Sequence, residues 1–284
     1  MVVDCRLDCG GRSLDLSSPV VMGILNVTPD SFSDGGHYGS VEAAVQQALR
    51  MQSEGAAIVD IGGESTRPGA DTVSVSEELD RVIPVIEQLH QACDLPISID
   101  TMKPAVMREA VNAGAGLIND VNALRAEGAV ETAADLDVPV CLMHMRGEPR
   151  TMQTDPQYTD VVAEVTDFLV ERAAVCQRAG MDKSRILFDP GFGFGKTLAH
   201  NYQLLSGLRA LCDVGHPVLV GMSRKSMLGA ILDVPPAERV HAGVAAAVLA
   251  VERGAQVIRT HDVIATVHAL KICSEMYANN SQPG

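Results

Sequence analysis

Val20-Val21-Met22-Gly23-Ile24-Leu25-Asn26 opens on two β-branched residues, stays apolar through Leu25 and stops on a carboxamide. A short run that is apolar at every position, rather than at alternate ones, marks a strand covered on both faces, as in a parallel sheet. The same event recurs seven more times, at Ala57 to Gly63, Pro96 to Thr101, Gly116 to Asn122, Pro139 to Met145, Ile186 to Gly191, Pro217 to Arg224 and Gln256 to Asp262. Helix-like stretches alternate with the runs: Val41 to Ser53, Ser76 to Ala92, Pro104 to Ala113, Glu127 to Leu136, Tyr158 to Ala179, Ala199 to Leu211, Pro236 to Glu252 and Val263 to Tyr277. Strand–helix alternation implies right-handed crossovers in a parallel sheet. Eight such units in about 250 residues predict an α/β fold, the (β/α)8 or TIM barrel. A single domain is expected over residues 1–284, with residues 1–19 as a short N-terminal β-hairpin or cap ahead of the first barrel strand.

Composition bounds the function. With 46% apolar residues the chain can bury one barrel core without disulfides or metal. Its seven cysteines are scattered and lack CxxC spacing, as expected for reduced thiols in a cytoplasmic protein. Met1 to Gly10 carries Asp4 and Asp8 and has no apolar signal segment, and the apolar stretch Ala242 to Val251 is too short to span a bilayer. A net charge of −14 opposes non-specific binding to nucleic acid, so an anionic ligand must meet a local cluster of positive charge.

In a barrel the strand C-termini converge on one face, where the chemistry sits, so the polar residues that end the runs become neighbours. Lys225, Arg259 and His261 follow the seventh and eighth strands, where barrels hold phosphate near a helix N-terminus. Asp100, Asn119 and Asp189 end three other runs and form a wall of carboxylate and amide groups suited to a flat nitrogenous ring. Gly191-Phe192-Gly193-Phe194-Gly195-Lys196-Thr197 fits neither a Walker A loop nor a GxGxxG fingerprint. Its glycines are expected to let the backbone pass close to a ligand, with Phe192 either lining the pocket floor or packing in the core. Met143 is open to the same two readings, and His144 reads as a packed, hydrogen-bonded histidine. Two connections, Val27 to Ser40 and Glu64 to Val75, exceed the usual two to six residues of a βα loop, which suggests function.

These motifs taken together resemble dihydropteroate synthases along nearly the whole chain. The resemblance rests on residues 26–36 (NVTPDSFSDGG), 63–70 (GESTRPGA), 98–101 (SIDT), 118–121 (INDV), 144–147 (HMRG), 189–196 (DPGFGFGK), 223–226 (SRKS) and 259–263 (RTHDV). It implies condensation of 6-hydroxymethyl-7,8-dihydropterin pyrophosphate with p-aminobenzoate in tetrahydrofolate biosynthesis, with Mg2+ present, sulfonamides as inhibitors and a homodimer as the assembly. Carried over residue by residue, Asp100, Asn119, Met143, Asp189, Phe192, Lys225 and Arg259 hold the pterin. Asp100, Asp189, Lys225 and Arg259 among them would serve catalysis. Asn26 binds the metal and, with Thr66, Arg67, Arg259 and His261, the pyrophosphate, while Phe32, Pro68 and Ser223 shape the p-aminobenzoate pocket. A pterin-binding barrel that transfers methyl groups from a folate to a corrinoid protein, and a non-catalytic pterin-binding paralogue, are the alternatives.

Overall fold

The computed structural model describes residues 6–28, 36–65, 72–147 and 151–280. Strands β1 (Arg6–Cys9) and β2 (Arg12–Asp15) pair antiparallel into the expected hairpin. Eight parallel strands follow: β3 (Val20–Asn26), β4 (Ile58–Gly62), β5 (Ile97–Asp100), β6 (Leu117–Asp120), β7 (Val140–Met143), β8 (Ile186–Asp189), β9 (Leu219–Val220) and β10 (Val257–Thr260). Their order in the sheet is β8-β7-β6-β5-β4-β3-β10-β9. The ring is drawn together between β8 and β9 by a bridge from Phe188 to Val218, with the Phe188 N–H donating to the Pro217 carbonyl at 2.9 Å. The predicted barrel is therefore the observed architecture.

The helices that cover the ring are α1 (Gly36–Ser53), α2 (Val75–Ala92), α3 (Pro104–Asn112), α4 (Ala129–Leu136), α5 (Val161–Arg178), α6 (Leu198–Ser206), α7 (Leu208–Cys212), α8 (Ser226–Leu232), α9 (Val240–Glu252) and α10 (Val263–Asn280). Local chemistry sets several of their starts. Ser74 and Glu77 form a reciprocal capping box on α2, and Asp160 accepts from the N–H groups of Val162 and Ala163 at the head of α5. Two expectations are corrected. The stretch Ala199 to Leu211 is two helices, parted at Gly207, where a Cβ would come within 2.7 Å of Val162 on α5. The seventh run is a strand only at Leu219–Val220, and a further helix, α8, begins directly after Lys225.

Alternation along each strand explains where the core ends and the site begins. Side chains at every second position point to the same face. Val21, Leu25, Val59, Ile61, Ile97, Ile99, Ile118, Val140, Leu142, Ile186, Phe188, Val220 and Ile258 pack outward into the main core beneath the helices. Met22, Ile58, Leu117, Cys141, Leu187, Leu219 and Val257 form a separate apolar layer inside the ring, joined by Leu7, Cys9, Leu14 and Leu16. The hairpin therefore plugs the N-terminal end of the barrel. Two residues further along, the inward positions of six strands are Asp60, Asn119, Met143, Asp189, Gly221 and Arg259.

Leu14→Ala, which removes one plug contact from the barrel floor, is expected to lower the free energy of unfolding by about 2–5 kcal/mol. Urea denaturation measures this, and an unchanged midpoint would show that the hairpin does not seal the core.

Candidate active site

The inward residues at the C-terminal end of the barrel make one connected electrostatic network. Arg259, on β10, donates from Nε to Asp60 Oδ2 at 2.6 Å and from an Nη atom to Asp100 Oδ2 at 2.8 Å. Asn119 on β6 donates to the same Asp60 Oδ2 at 3.0 Å. Four strands, β10, β4, β5 and β6, are thus tied across the barrel mouth. Asp60 and Asp100 each keep a second carboxylate oxygen, Oδ1, that is buried and has no hydrogen-bond partner. Buried acceptors of this kind are costly unless a ligand or water meets them, so both mark a place for a donor-bearing ligand.

Burial pushes the Asp100 carboxyl up to about 7, with Arg259 pulling it down and Asp60 and Asp120 pushing it further up. Burial also raises Asp189, against the pull of Lys225 and of the Gly191 N–H, which donates to Asp189 Oδ1 at 2.7 Å. Lys225 is lowered to about 8 by burial, with Asp189 opposing the shift and Arg259 reinforcing it. Its Nζ donates to the Phe192 carbonyl at 2.5 Å and lies 4.7 Å from the centre of the Phe194 ring. Arg259, by contrast, is held above its ordinary range because Asp60 and Asp100 outweigh its desolvation. Three carboxylates, Asp60, Asp100 and Asp189, thus face two cations, Lys225 and Arg259.

One ladder row, Asn26–Gly62–Asp100–Asn119, crosses four adjacent strands. Gly62 leaves space in that row, since a Cβ there would meet Asp100 Oδ2 at 3.8 Å and Asn26 Oδ1 at 3.9 Å. Asn26 and Asp100 therefore face one gap from either side. Ser223 and His261, which follow β9 and β10, also meet: the Ser223 hydroxyl accepts from the His261 backbone N–H at 3.2 Å and lies 3.1 Å from His261 Nδ1. Asp262 instead pairs with Arg224 at 2.6 Å and leaves the network of the barrel mouth to Arg259.

Some run ends do not reach the site. Asp120 is the residue after inward-facing Asn119, so alternation turns it outward, where it accepts from the N–H groups of Asn122 and Leu124. Glu64 joins Glu78 and Lys103 in a separate cluster, with Lys103 Nζ 2.7 Å from Glu64 and 2.5 Å from Glu78. Phe192 is fully buried in the core outside the ring, so its carbonyl, rather than its ring, faces the site. The apolar wall is built from Met143 together with Val121, Met145 and Met152, with Met102 and Phe194 packed against them. The glycines of the 191–195 loop also answer a need within the fold. A Cβ at Gly191 would fall 1.9 Å from the His144 carbonyl, and one at Gly195 2.3 Å from that of Arg146, both at positive φ. They let the loop pass close to the end of β7. Phe32, Thr66, Arg67 and Pro68 lie outside the described residues.

Reading the apolar runs only at their ends passes over Asp60, which sits in the middle of Ile58-Val59-Asp60-Ile61. The signal was present, because a lone carboxylate inside a strand that is otherwise wholly apolar has to face a charge or a ligand. Phe194 carried no comparable signal, since only the fold of its loop turns it toward Lys225.

Comparison with known proteins agrees with this geometry. The family described as pterin binding enzymes matches residues 22–261. Dihydropteroate synthase of Escherichia coli (strain K12) is 55% identical over 267 residues, which cover 94% of this chain and 95% of that protein. Among solved structures, Xanthomonas albilineans dihydropteroate synthase with 4-aminobenzoic acid superposes with a TM-score of 0.92 at 57% identity, covering 99% of this chain and 100% of that one. The enzyme from the same organism with 7,8-dihydropteroate gives 0.88 at 54%, covering 98% and 100%. The Yersinia pestis enzyme in a sulfonamide drug complex gives 0.92 at 54%, covering 96% and 99%. A barrel mouth lined with carboxylate, amide and ammonium groups, matched over nearly its full length by these proteins, makes this chain a member of the dihydropteroate synthases within the pterin binding enzyme family.

Proposed function

We propose that this synthase joins 6-hydroxymethyl-7,8-dihydropterin pyrophosphate to p-aminobenzoate, giving 7,8-dihydropteroate and pyrophosphate, and that the inward ring holds the pterin. The observation that carries the site assignment is the pair of buried, unpartnered carboxylate oxygens on Asp60 and Asp100 beside Asn119, Asp189 and Lys225. A pterin edge presents adjacent N–H donors and ring acceptors. Carboxylates take the donors, Lys225 donates to an acceptor, and Asn119 can do both. Met143 supplies an apolar face, Phe192 a carbonyl that steadies Lys225, and Arg259 lies across the mouth where it can cover the ring.

The chemistry follows from the charges. Breaking the C–O bond sends its electron pair to the departing pyrophosphate and leaves positive charge on the methylene, which the pterin delocalises. Asp100 and Asp189 stabilise that cation electrostatically. The amine of p-aminobenzoate then forms the C–N bond and releases one proton. Arg259 and His261, with Thr66 and Arg67 from the second long loop, are assigned to the pyrophosphate, near the N-terminus of α10. Ser223, Phe32 and Pro68 are assigned to p-aminobenzoate, and sulfonamides to the same place. Mg2+ fits Asn26: its neutral oxygen borders the gap left by Gly62, and among the described residues no group of three His, Cys, Asp or Glu is gathered to hold a metal by protein alone. Asn26 would hold such an ion together with substrate phosphate and water, and when bound it would offset leaving-group charge.

Two wider assignments accompany this reading. Leu249, Ile264, Ile272 and Met276 leave apolar side chains exposed on the packed helices α9 and α10, a surface suited to a second copy in a homodimer. Cytoplasmic residence is supported by the free state of Cys9, Cys93, Cys141, Cys176, Cys212 and Cys273. No described helix is long and apolar enough to cross a membrane.

The decisive assay supplies pterin pyrophosphate, p-aminobenzoate and Mg2+ and looks for dihydropteroate. Pterin binding without product would overturn the synthase reading. Lys225→Ala is expected to weaken pterin binding roughly tenfold to a hundredfold, with little change in the KM for p-aminobenzoate. Phe32→Ala should do the reverse, and equal effects on both substrates would remove Phe32 from its assigned pocket. Lys225 is charged below its pKa of about 8 and neutral above it. The kcat/KM for pterin pyrophosphate should therefore fall as pH rises through about 8. Lys225→Arg should abolish that alkaline limb, and a limb that survives the substitution belongs to another group.

A further inference from the structure

Lys196 ends the glycine-rich loop that connects β8 to α6, and its side chain turns inward instead of reaching solvent. It is 3% exposed. Its Nζ lies 2.9 Å from the Gly191 carbonyl, 3.1 Å from that of Phe194 and 2.9 Å from His144 Nδ1, with the His144 carbonyl at 3.4 Å. Burial pushes the Lys196 amine well below the ordinary lysine range, and three near partners surround it in place of water. His144 can accept only as a neutral imidazole, and burial together with Lys196 and Arg146 lowers its pKa to about 2. The buried amine thus laces both ends of the loop to the end of β7.

The loop held in this way meets the ring at two polar contacts: the Gly191 N–H donates to Asp189 Oδ1 at 2.7 Å, and the second involves Lys225. Between the two carbonyls that bind Lys196 lies Phe192, whose own carbonyl accepts from Lys225 Nζ. Further anchors act from outside: Asn201 Oδ1 accepts from the Gly193 N–H at 2.7 Å, Gln153 Nε2 donates to the Gly193 carbonyl, Asn201 Nδ2 donates to the Lys196 carbonyl at 3.3 Å, and the Tyr158 hydroxyl donates to the Gly195 carbonyl at 2.8 Å. Removing the central anchor frees the Phe192 carbonyl to move away from Lys225 while the barrel itself stays closed.

We infer that Lys196 is a positioning residue for pterin recognition, acting through the Phe192 carbonyl on Lys225. The inference rests on the assignment of Lys225 to the pterin. Lys196→Met keeps the length and apolar body of the side chain and deletes its three hydrogen bonds. It should raise the Kd for pterin pyrophosphate, measured by calorimetric titration, roughly tenfold, while the KM for p-aminobenzoate stays within about twofold. A residue that merely stabilises the fold would add its effect to any other. Action through Lys225 makes the two non-additive, so in a Lys225→Ala background Lys196→Met should change the Kd by less than about twofold.

A Kd unchanged in Lys196→Met, or a full tenfold loss that persists in the Lys225→Ala background, would overturn the inference. Should Lys225→Ala alone leave pterin binding intact, the pocket assignment fails first and the inference with it. If Lys196→Met does not fold, Tyr158→Phe carries the test from the solvent side of the same loop. A weaker pterin Kd with unchanged KM for p-aminobenzoate supports the inference, and an unchanged Kd refutes it.

Discussion

The closed parallel ring imposes one condition on everything else: every second side chain of every strand must enter an interior with no room for water-filled compromise. At the lower level the condition is met by Met22, Ile58, Leu117, Cys141, Leu187, Leu219 and Val257, sealed from below by the hairpin. At the upper level it is met by charges that answer one another across the ring, with Arg259 tied to both Asp60 and Asp100. Isolated, any one of these groups would be costly to bury. Together they offset one another's burial and leave two carboxylate oxygens over for a ligand.

Much of this was legible in the chain. The eight runs and their helices gave the barrel because strands buried on both faces and crossover helices have distinct periods. The run ends named Asp100, Asn119, Asp189, Lys225 and Arg259, which the structure brings to one mouth. What stayed hidden depends on orientation. Asn119 and Asp120 are equal as run ends, and only alternation in the folded strand sends one inward and the other to a turn. Asp60 was hidden by position, within a strand rather than at its end. Helix α8 was hidden by brevity, since seven residues after Lys225 show no resolved period. The contrast between Phe192 and Phe194 depends on a loop whose path follows the carbonyls of His144 and Arg146, contacts that no local pattern encodes.

The acidic chain also resolves an apparent conflict. A net charge of −14 should repel a pyrophosphate-bearing substrate. The positive groups Arg224, Lys225 and Arg259, however, are gathered at β9 and β10, with Asp262 paired to Arg224 and Asp60 and Asp100 to Arg259. Local pairing, rather than the overall sum, sets the field that a ligand meets.

The hairpin plug has a kinetic consequence. A barrel stoppered at its base is a vessel with a single opening, so whatever lies deepest must enter first and leave last. The ring proposed to hold the pterin is seated above the plugged layer, whereas Ser223 and His261 follow the strand ends. With the substrates in their proposed places, traffic would be sequential: the heterocycle would load before the amine closed over it, and the joined product would leave only after the rim had cleared.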